Sequence, residues 1–516
     1  MRLARNRHPS TTPPRRLLAV AAVGAVASAL LAACGGSGGD GQQPSSAEGG
    51  TLTVAQSADI VTMDPAMHRT RITQTVVRNV FEALVNQDDA LNPVPELATE
   101  WTQVDATTWR FTLREGVRFH NGEPFTAEAV KFSIERVLDP DQASPRASML
   151  SMIDEVIVED DYTVVITTEQ PAPTLLASLS VNEIVPPAYV QEVGDEEFAK
   201  NPVGTGPFTF VEWVPNERVV LAANDDYWGG RPKIDQLVFK PIPEVSTRIA
   251  ALRSGDVQIA AEIPADLAAS LDGDVRAVPV SGTRIFFLAM NVTMAPFDDL
   301  AVRVAVNQAI DRQLLVDSIY QGRARVLNQP AFPEMVGYHE GFTGYDYDPE
   351  AASAVLSDLD MTIEIDVEEK DKILAEAVAG QLQAAGLDAR VRVLEGQAFL
   401  DAINGGSSLA YLSSWGVAEG DADVIFARHF WSPSRAESVF TGYENAELDV
   451  LIERGRSTAD GDERERIYAE AIEIVMADAP WAPLLNPEEI YGVSTAVKDW
   501  QPSPIGRINV KTVSLG

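Results

Sequence analysis

The chain of 516 residues contains a single cysteine, Cys34. That removes every intrachain disulfide, every multi-cysteine metal site and, if Cys34 is itself consumed, every thiol nucleophile. Whatever fold forms must rest on its own packed core. Cys34 closes the stretch Leu31-Ala32-Ala33-Cys34 and is followed at once by Gly35-Gly36-Ser37-Gly38-Gly39. Upstream lie Arg2, Arg5, Arg7, Arg15 and Arg16, then an uncharged run from Leu17 to Ala33. A basic segment, an apolar segment and small residues at a cleavage point are the layout of an export signal. The apolar run is shorter than the ~20 residues that span a bilayer, so it reads as a cleaved signal and not as a retained anchor. With residues 1–33 set aside, the remainder is longer than one hydrophobic core usually organises, which predicts at least two lobes.

The ending at Cys34 resembles the lipobox of bacterial lipoproteins. That resemblance implies a lipidated Cys34 as the mature N-terminus and an extracytoplasmic location at the membrane. Residues 35–50 hold seven glycines with Ser, Gln, Asp and Pro between them. This composition cannot bury a core and predicts a flexible tether over 34–50, with an end-to-end distance of roughly 20–24 Å. The formal charge is −36, and it becomes −41 without the five arginines of the signal. Nucleic-acid binding needs a basic footprint, so that class is excluded, as is adhesion to an anionic bilayer through the protein surface.

Thr51-Leu52-Thr53-Val54-Ala55 alternates as a strand, and residues 59–65 read as a loop ending at Pro65. Val76, Val77, Val80, Phe81, Leu84 and Val85 recur at helical spacing, which predicts a helix over 75–85. Trp109–Leu113 alternates as a strand. Thr126 is placed to cap a helix with Glu128 in its first turn, ending at Asp139-Pro140. Ile285–Met290 is a continuous apolar run suited to a buried strand. Asp298 and Asp311 are expected to cap two successive helices.

The run from Arg110 to Val130, containing Gly116-Val117-Arg118-Phe119-His120-Asn121-Gly122-Glu123-Pro124-Phe125-Thr126, closely resembles the signature of the extracellular solute-binding proteins of ABC importers. The class in question binds peptides, nickel complexes and some oligosaccharides. Further pieces follow in the family's order. They are Pro93–Trp101, Gly204-Thr205-Gly206-Pro207, Asn224–Gly230, Pro296–Asp299, Ala305–Arg312, Glu463–Tyr468 and Ala479–Leu484. The resemblance spans about residue 51 to the C-terminus. It implies an α/β, two-lobed periplasmic-binding-protein-like fold with mixed sheets, an enlarged first lobe and a hinge. Lobe I is expected at 51–283 and 493–516, with an inserted subdomain at about 91–205, and lobe II at 284–492. The implied partners are a peptide or peptide-like ligand and an ABC permease with its ATPase. A monomer is expected, tied to the membrane through its lipid.

No Gly-x-Ser-x-Gly elbow, phosphate loop, His-Glu-x-x-His pair or dinucleotide fingerprint occurs. The histidines are scattered, so neither catalysis nor a cofactor nor a metal is expected. For binding, Leu412–Asp423 looks like a strand running into a loop. The resemblance puts it at the cleft edge of lobe II, where Trp415 offers a stacking surface and Glu419, Asp421 and Asp423 offer carboxylates. Dipeptide- and oligopeptide-binding members usually carry an Asp three residues after this Trp; here Ala418 stands there. Gly420-Asp421-Ala422-Asp423 instead resembles the Gly-Glu-Ala-Asp run of glutathione-binding-like members. Modified or γ-linked peptides, opines and other solutes thus stay open, as does a plain helix-capping role for Asp421 and Asp423. Met63, His68 and Arg69 follow the first strand on the side that faces the cleft in relatives. Arg284 and Asn291 flank the apolar strand. These complete the candidate ligand set. Receptors for metal chelates, haem or oligosaccharides, and a signalling lipoprotein, are the alternatives.

Overall fold

The apolar run at 285–290 becomes a strand, Arg284–Met290, buried on both faces, as a continuous hydrophobic run requires. Ile285, Phe287 and Ala289 enter one core, with Phe426, Tyr468 and Trp481. Phe286, Leu288 and Met290 enter the other, with Val306, Val378 and Leu412. The computed structural model describes residues 49–516, apart from 437 and 460. The expected export signal, Cys34 and the tether as far as residue 48 lie outside the described residues.

The main sheet is mixed and has two halves that share one strand, Trp481–Ser494. Its first part pairs antiparallel with Arg284–Met290, Ala289 opposite Trp481. Its second part pairs with Ile259–Ala260 and with Val275–Ser281. Beyond Arg284–Met290 run Ala410–Gly416, Thr362–Val367 and Asp388–Val393. Beyond Ile259–Ala260 run Thr51–Gln56, Gln236–Pro241, Arg218–Ala223 and Phe208–Val214. Leu484 and Leu485 pack with Phe286 and Leu288, whereas Tyr491 and Val493 pack with Leu52 and Val54. One continuous strand therefore carries the chain from one core to the other.

A separate antiparallel sheet holds Ala98–Asp105, Thr108–Leu113, Thr163–Thr168 and Ile153–Asp160. Helix Ala127–Leu138 covers it, and Phe111, Val130 and Ile134 share its core. Thr126 sits at the N-cap without a side-chain cap bond, and Glu128 occupies the first turn. Two expectations are corrected. The helix predicted over 75–85 is instead Arg71–Val77, followed by turns. The carbonyls of Asn79 and Val80 accept from the backbone N–H groups of Phe208 and Gly206 (3.0 and 2.9 Å), so tertiary pairing overrides the helical period. The helix near 300 is capped by Asp299, not Asp298, with Asp299 Oδ1 accepting from the Ala301 N–H at 2.8 Å. Asp311 caps the next helix through the Leu314 N–H at 2.9 Å.

Several signature pieces meet in space. A Cβ on Gly204 would lie 2.1 Å from the Val80 carbonyl oxygen, so glycine is required there by close backbone approach. Thr205 Oγ1, Tyr227 Oη and Trp228 Nε1 all donate to the buried Glu82, at 2.9, 2.7 and 2.8 Å. Asn307 and Arg312 donate to the carbonyls of Trp481 and Pro483, at 3.2 and 2.6 Å. The motifs are joints of the fold.

Candidate functional site

A cavity of about 420 Å³ opens where the two halves of the main sheet face each other. Its walls come from the start of helix Arg71–Val77 with the two residues before it, from Thr283-Arg284, from Ser414, Gly416, Ala418 and Glu419, from Glu489 and from Ile505 to Arg507. The geometry follows from strand register. Arg284 lies opposite Gly416 in the antiparallel pair, so both reach the same mouth. A side chain one residue along points to the other face.

Charge is concentrated here. Arg69, Arg71, Arg146, Arg284, Lys370 and Arg507 line the cavity, with Glu419 and Glu489. Most of these are already paired within the protein. Arg71 meets Glu489 at 2.6 Å and Glu262 at 3.2 Å. Burial pushes the Glu489 carboxyl up, but Arg71 and Arg284 more than offset this and hold it below the ordinary range. Arg146 meets Glu183 at 3.2 Å and donates to the carbonyls of His68 and Val181 and to Gln74. Lys370 meets Glu368 at 2.5 Å. Arg507 donates to Asn86 Oδ1 at 2.5 Å and to the Ser180 carbonyl at 3.1 Å. Burial, reinforced by repulsion from Arg78, pulls its guanidinium down to about 9. Among the described residues, the side chains of Arg69, Arg284 and Glu419 make no ion pair or hydrogen bond with another residue. The Glu419 carboxyl is raised, chiefly by burial and then by Asp421, against the opposing pull of Arg69.

Three of the nine expected ligand residues, Arg69, Arg284 and Glu419, thus line one cavity. The other six lie elsewhere, each for a physical reason. Met63 is fully buried beside Leu52, Val54 and Ile60. His68 is buried against the Arg146 guanidinium (Nη2 to Nε2, 3.2 Å), and burial first, then Arg146, lowers its pKa to about 3. Asn291 spends its amide on the carbonyls of Gly406 and Ser408 and its oxygen on the Thr293 N–H and hydroxyl. Trp415, paired with Ile285, shares the opposite face of its strand from Ser414 and Gly416. It meets His429 edge-on at 4.8 Å. Asp421 caps helix Ala422–His429 through the Asp423 N–H at 2.8 Å and pairs with the fully buried Arg464 at 2.5 and 2.9 Å. Asp423 accepts from Tyr468 Oη at 2.9 Å and lies 3.6 Å from Arg456.

A larger groove of about 890 Å³ shares Thr283 with this cavity. Its Arg276 and Lys511 are outnumbered by Asp89, Glu334 and Asp499, and Leu91, Val278, Val280, Phe332 and Trp500 supply apolar wall. It lacks the convergent charges of the smaller cavity. Among the described residues no group of three His, Cys, Asp or Glu side chains is arranged to hold a metal ion, and no helix is long and apolar enough to cross a membrane.

Residues 92–437 match the family of bacterial extracellular solute-binding proteins, family 5 Middle. The chain belongs to this family. This solute-binding protein is 29% identical over 455 residues to the glutathione-binding protein GsiB of Pectobacterium atrosepticum, covering 83% of this chain and 87% of that one. It is likewise 29% identical over 455 residues to heme-binding protein A of Haemophilus influenzae, covering 80% and 82%. Among solved structures, the ABC transporter-associated periplasmic binding protein DppA of Helicobacter pylori, in complex with the peptide STSA, matches with a TM-score of 0.76 and 28% identity. That match covers 90% of this chain and 98% of the other. The fold is the two-lobed α/β fold of periplasmic binding proteins, with mixed sheets.

Sequence reasoning missed the remaining cavity residues of this solute-binding protein, among them Arg71, Arg146, Lys370, Glu489 and Arg507. They come from five distant segments, and no local spacing links them. The one local signal was Arg69-Thr70-Arg71, two cations in a three-residue run of an otherwise acidic chain.

Proposed function

We propose that this chain is the lipid-anchored substrate-binding component of an ABC importer. It captures a peptide or peptide-like small polar solute in the 420 Å³ cavity and hands it to permease subunits coupled to an ATPase. The observation that carries this reading is the meeting of unpaired charges from both halves of the sheet, Arg69, Arg284 and Glu419, on one partly apolar cavity. A few placed polar groups in a concave site are what ligand selection requires. The lobes are taken as 51–283 with 493–516, including the inserted subdomain at about 91–205, and 284–492. Ligand bridging them would shift an open–closed equilibrium about strand Trp481–Ser494 and the 281–284 crossing. The named relatives support capture of peptide-like solutes, since GsiB is called glutathione-binding and DppA is held with a peptide. Binding involves no covalent chemistry, so ligand leaves intact.

Anchoring belongs to Cys34. One acyl chain holds a protein only marginally and two hold it stably. A tethered monomer stays concentrated near its importer. The direct test is mass spectrometry of solute co-purifying with the protein, followed by calorimetric titration against peptides, opines and metal chelates. Saturable binding of an intact peptide-like solute is expected. Folded protein that binds none of these overturns the reading.

A further inference from the structure

A short hairpin, Val85–Gln87 paired with Pro93–Pro95, is fixed at its foot to the first part of the chain. The Asn86 amide donates to Glu96 at 3.1 Å, and its Oδ1 accepts from Arg507 at 2.5 Å. The tip is closed by its own bonds. Asp88 Oδ1 accepts from the Ala90 and Asn92 N–H groups, both at 2.9 Å, and the Leu91 N–H donates to the Asp88 carbonyl at 3.0 Å. Leu91 holds a φ of +65°, a left-handed conformation that leucine adopts only at a cost. Every other residue from 88 to 93 is exposed, whereas Leu91 is only 8% exposed. Its side chain leaves the hairpin and joins the core of Phe332, Val417 and Phe426, in the stretch expected as lobe II.

The surface that receives Leu91 is shaped for it. A Cβ on Gly420 would lie 2.8 Å from Leu91 Cδ1 and 2.9 Å from Leu91 Cβ, so the leucine packs directly on the glycine backbone. Gly420 is held from its other side, its carbonyl accepting from the Val336 N–H at 2.9 Å. Two residues earlier, the Ala418 carbonyl accepts from Gln87 Nε2 at 3.1 Å, while Gln87 Oε1 accepts from Ser180 Oγ at 3.1 Å. Ala418 and Glu419 line the solute cavity, and so does Val181 beside Ser180. One hairpin thus spans the lip of the cavity with an apolar plug and an amide clip. We propose that it is a latch: Leu91 docked on Gly420 and Gln87 bonded to Ala418 hold the lip, so the chain's own contacts set how readily the cavity opens. The strained backbone of Leu91 fits this role, because such strain persists only where surrounding contacts over-determine it. The inference rests on the reading of the cavity as the solute site and supplies its regulation.

The test is hydrogen–deuterium exchange read by mass spectrometry on the purified parent, on Leu91→Asn and on Gln87→Ala. Asn tolerates the left-handed conformation, so the first variant keeps the turn and loses the plug. A released latch exposes both of its sides together. Peptides covering the hairpin (85–95) and the lip (416–422) should therefore both exchange at least about tenfold faster in Leu91→Asn, as the loss of a buried leucine contact implies. In Gln87→Ala both should speed up by about two- to tenfold, as one hydrogen bond implies. Strand Arg284–Met290 should exchange at the parent rate in both variants. Faster exchange confined to the hairpin would mean that the tip merely frays. Equal acceleration of strand Arg284–Met290 would make Leu91 an ordinary core residue. Either result, or unchanged exchange at the lip, overturns the proposal. Should Leu91→Asn fail to fold, Gln87→Ala carries the same two-sided criterion. None of these results bears on solute binding, which the calorimetric titration tests separately.

Discussion

Asp421 was a candidate ligand residue by sequence, and the structure gives it a different task that a mutation can separate. Its carboxylate holds the Arg464 guanidinium by two contacts of 2.5 and 2.9 Å, and Arg464 is 0% exposed. Its Oδ1 also accepts from the Asp423 N–H at 2.8 Å, capping helix Ala422–His429. Asp421→Asn keeps a competent cap, because Asn and Asp rank together at that position, but removes the carboxylate charge that these two contacts set against the buried Arg464 guanidinium. Breaking a buried pair on one side costs about 3–5 kcal/mol. Asp421→Ala should add about 1 kcal/mol for the lost cap. The assay is urea unfolding followed by far-UV circular dichroism, with solute affinity measured by calorimetry on folded protein well below the transition. The expected result is a large drop in stability for Asp421→Asn, a slightly larger drop for Asp421→Ala, and affinity within about threefold of the parent, as suits a residue outside the cavity. A parent-like unfolding midpoint combined with an affinity loss of tenfold or more would refute the reasoning and return Asp421 to the ligand.

Other expectations follow from buried contacts and from the export signal. Burial, and then Glu96, raise the Glu82 carboxyl to about 7 from 4.5. Between those values the unfolded chain ionises while the folded one keeps its proton, so this group contributes stability fully present below pH 4.5 and lost as pH rises through 7. The shift corresponds to about 3 kcal/mol. Glu82→Gln should therefore gain stability on the parent progressively over that window in urea unfolding, and a pH-independent difference would contradict it. Gly204→Ala forces a methyl to within 2.1 Å of the Val80 carbonyl oxygen. Overpacking of this kind costs about 1–3 kcal/mol or more, to be read as a lowered melting temperature. Cys34→Ala should release the protein from the membrane fraction with unchanged solute affinity and reduced uptake, read by fractionation, calorimetry and a transport assay.

The elements legible in the sequence are those whose cause is local. The run at 285–290 gave its strand because a strand buried on both faces shows no alternation, and Asp311 gave its cap because capping involves residues three apart. The helix predicted over 75–85 failed where the cause was distant, since Gly206 and Phe208 take the carbonyls that a longer helix would have used. The same division governs the site. Trp415 and Ser414 are neighbours in sequence, and only the pairing of Trp415 with Ile285 reveals that the indole faces a core while Ser414 and Gly416 face the cavity. Asp421 could not be read as structural without Arg464, 43 residues later. Arg284 stands out in the sequence because it precedes a recognisable apolar strand at the proposed crossover, and it lines the cavity. The same principle separates the two classes of charge in this cleft. A charge that the fold consumes has its partner written elsewhere in the chain, whereas among the described residues the side chains of Arg69, Arg284 and Glu419 make no ion pair or hydrogen bond with another residue. Those three residues are therefore where the chemistry of the solute should be sought.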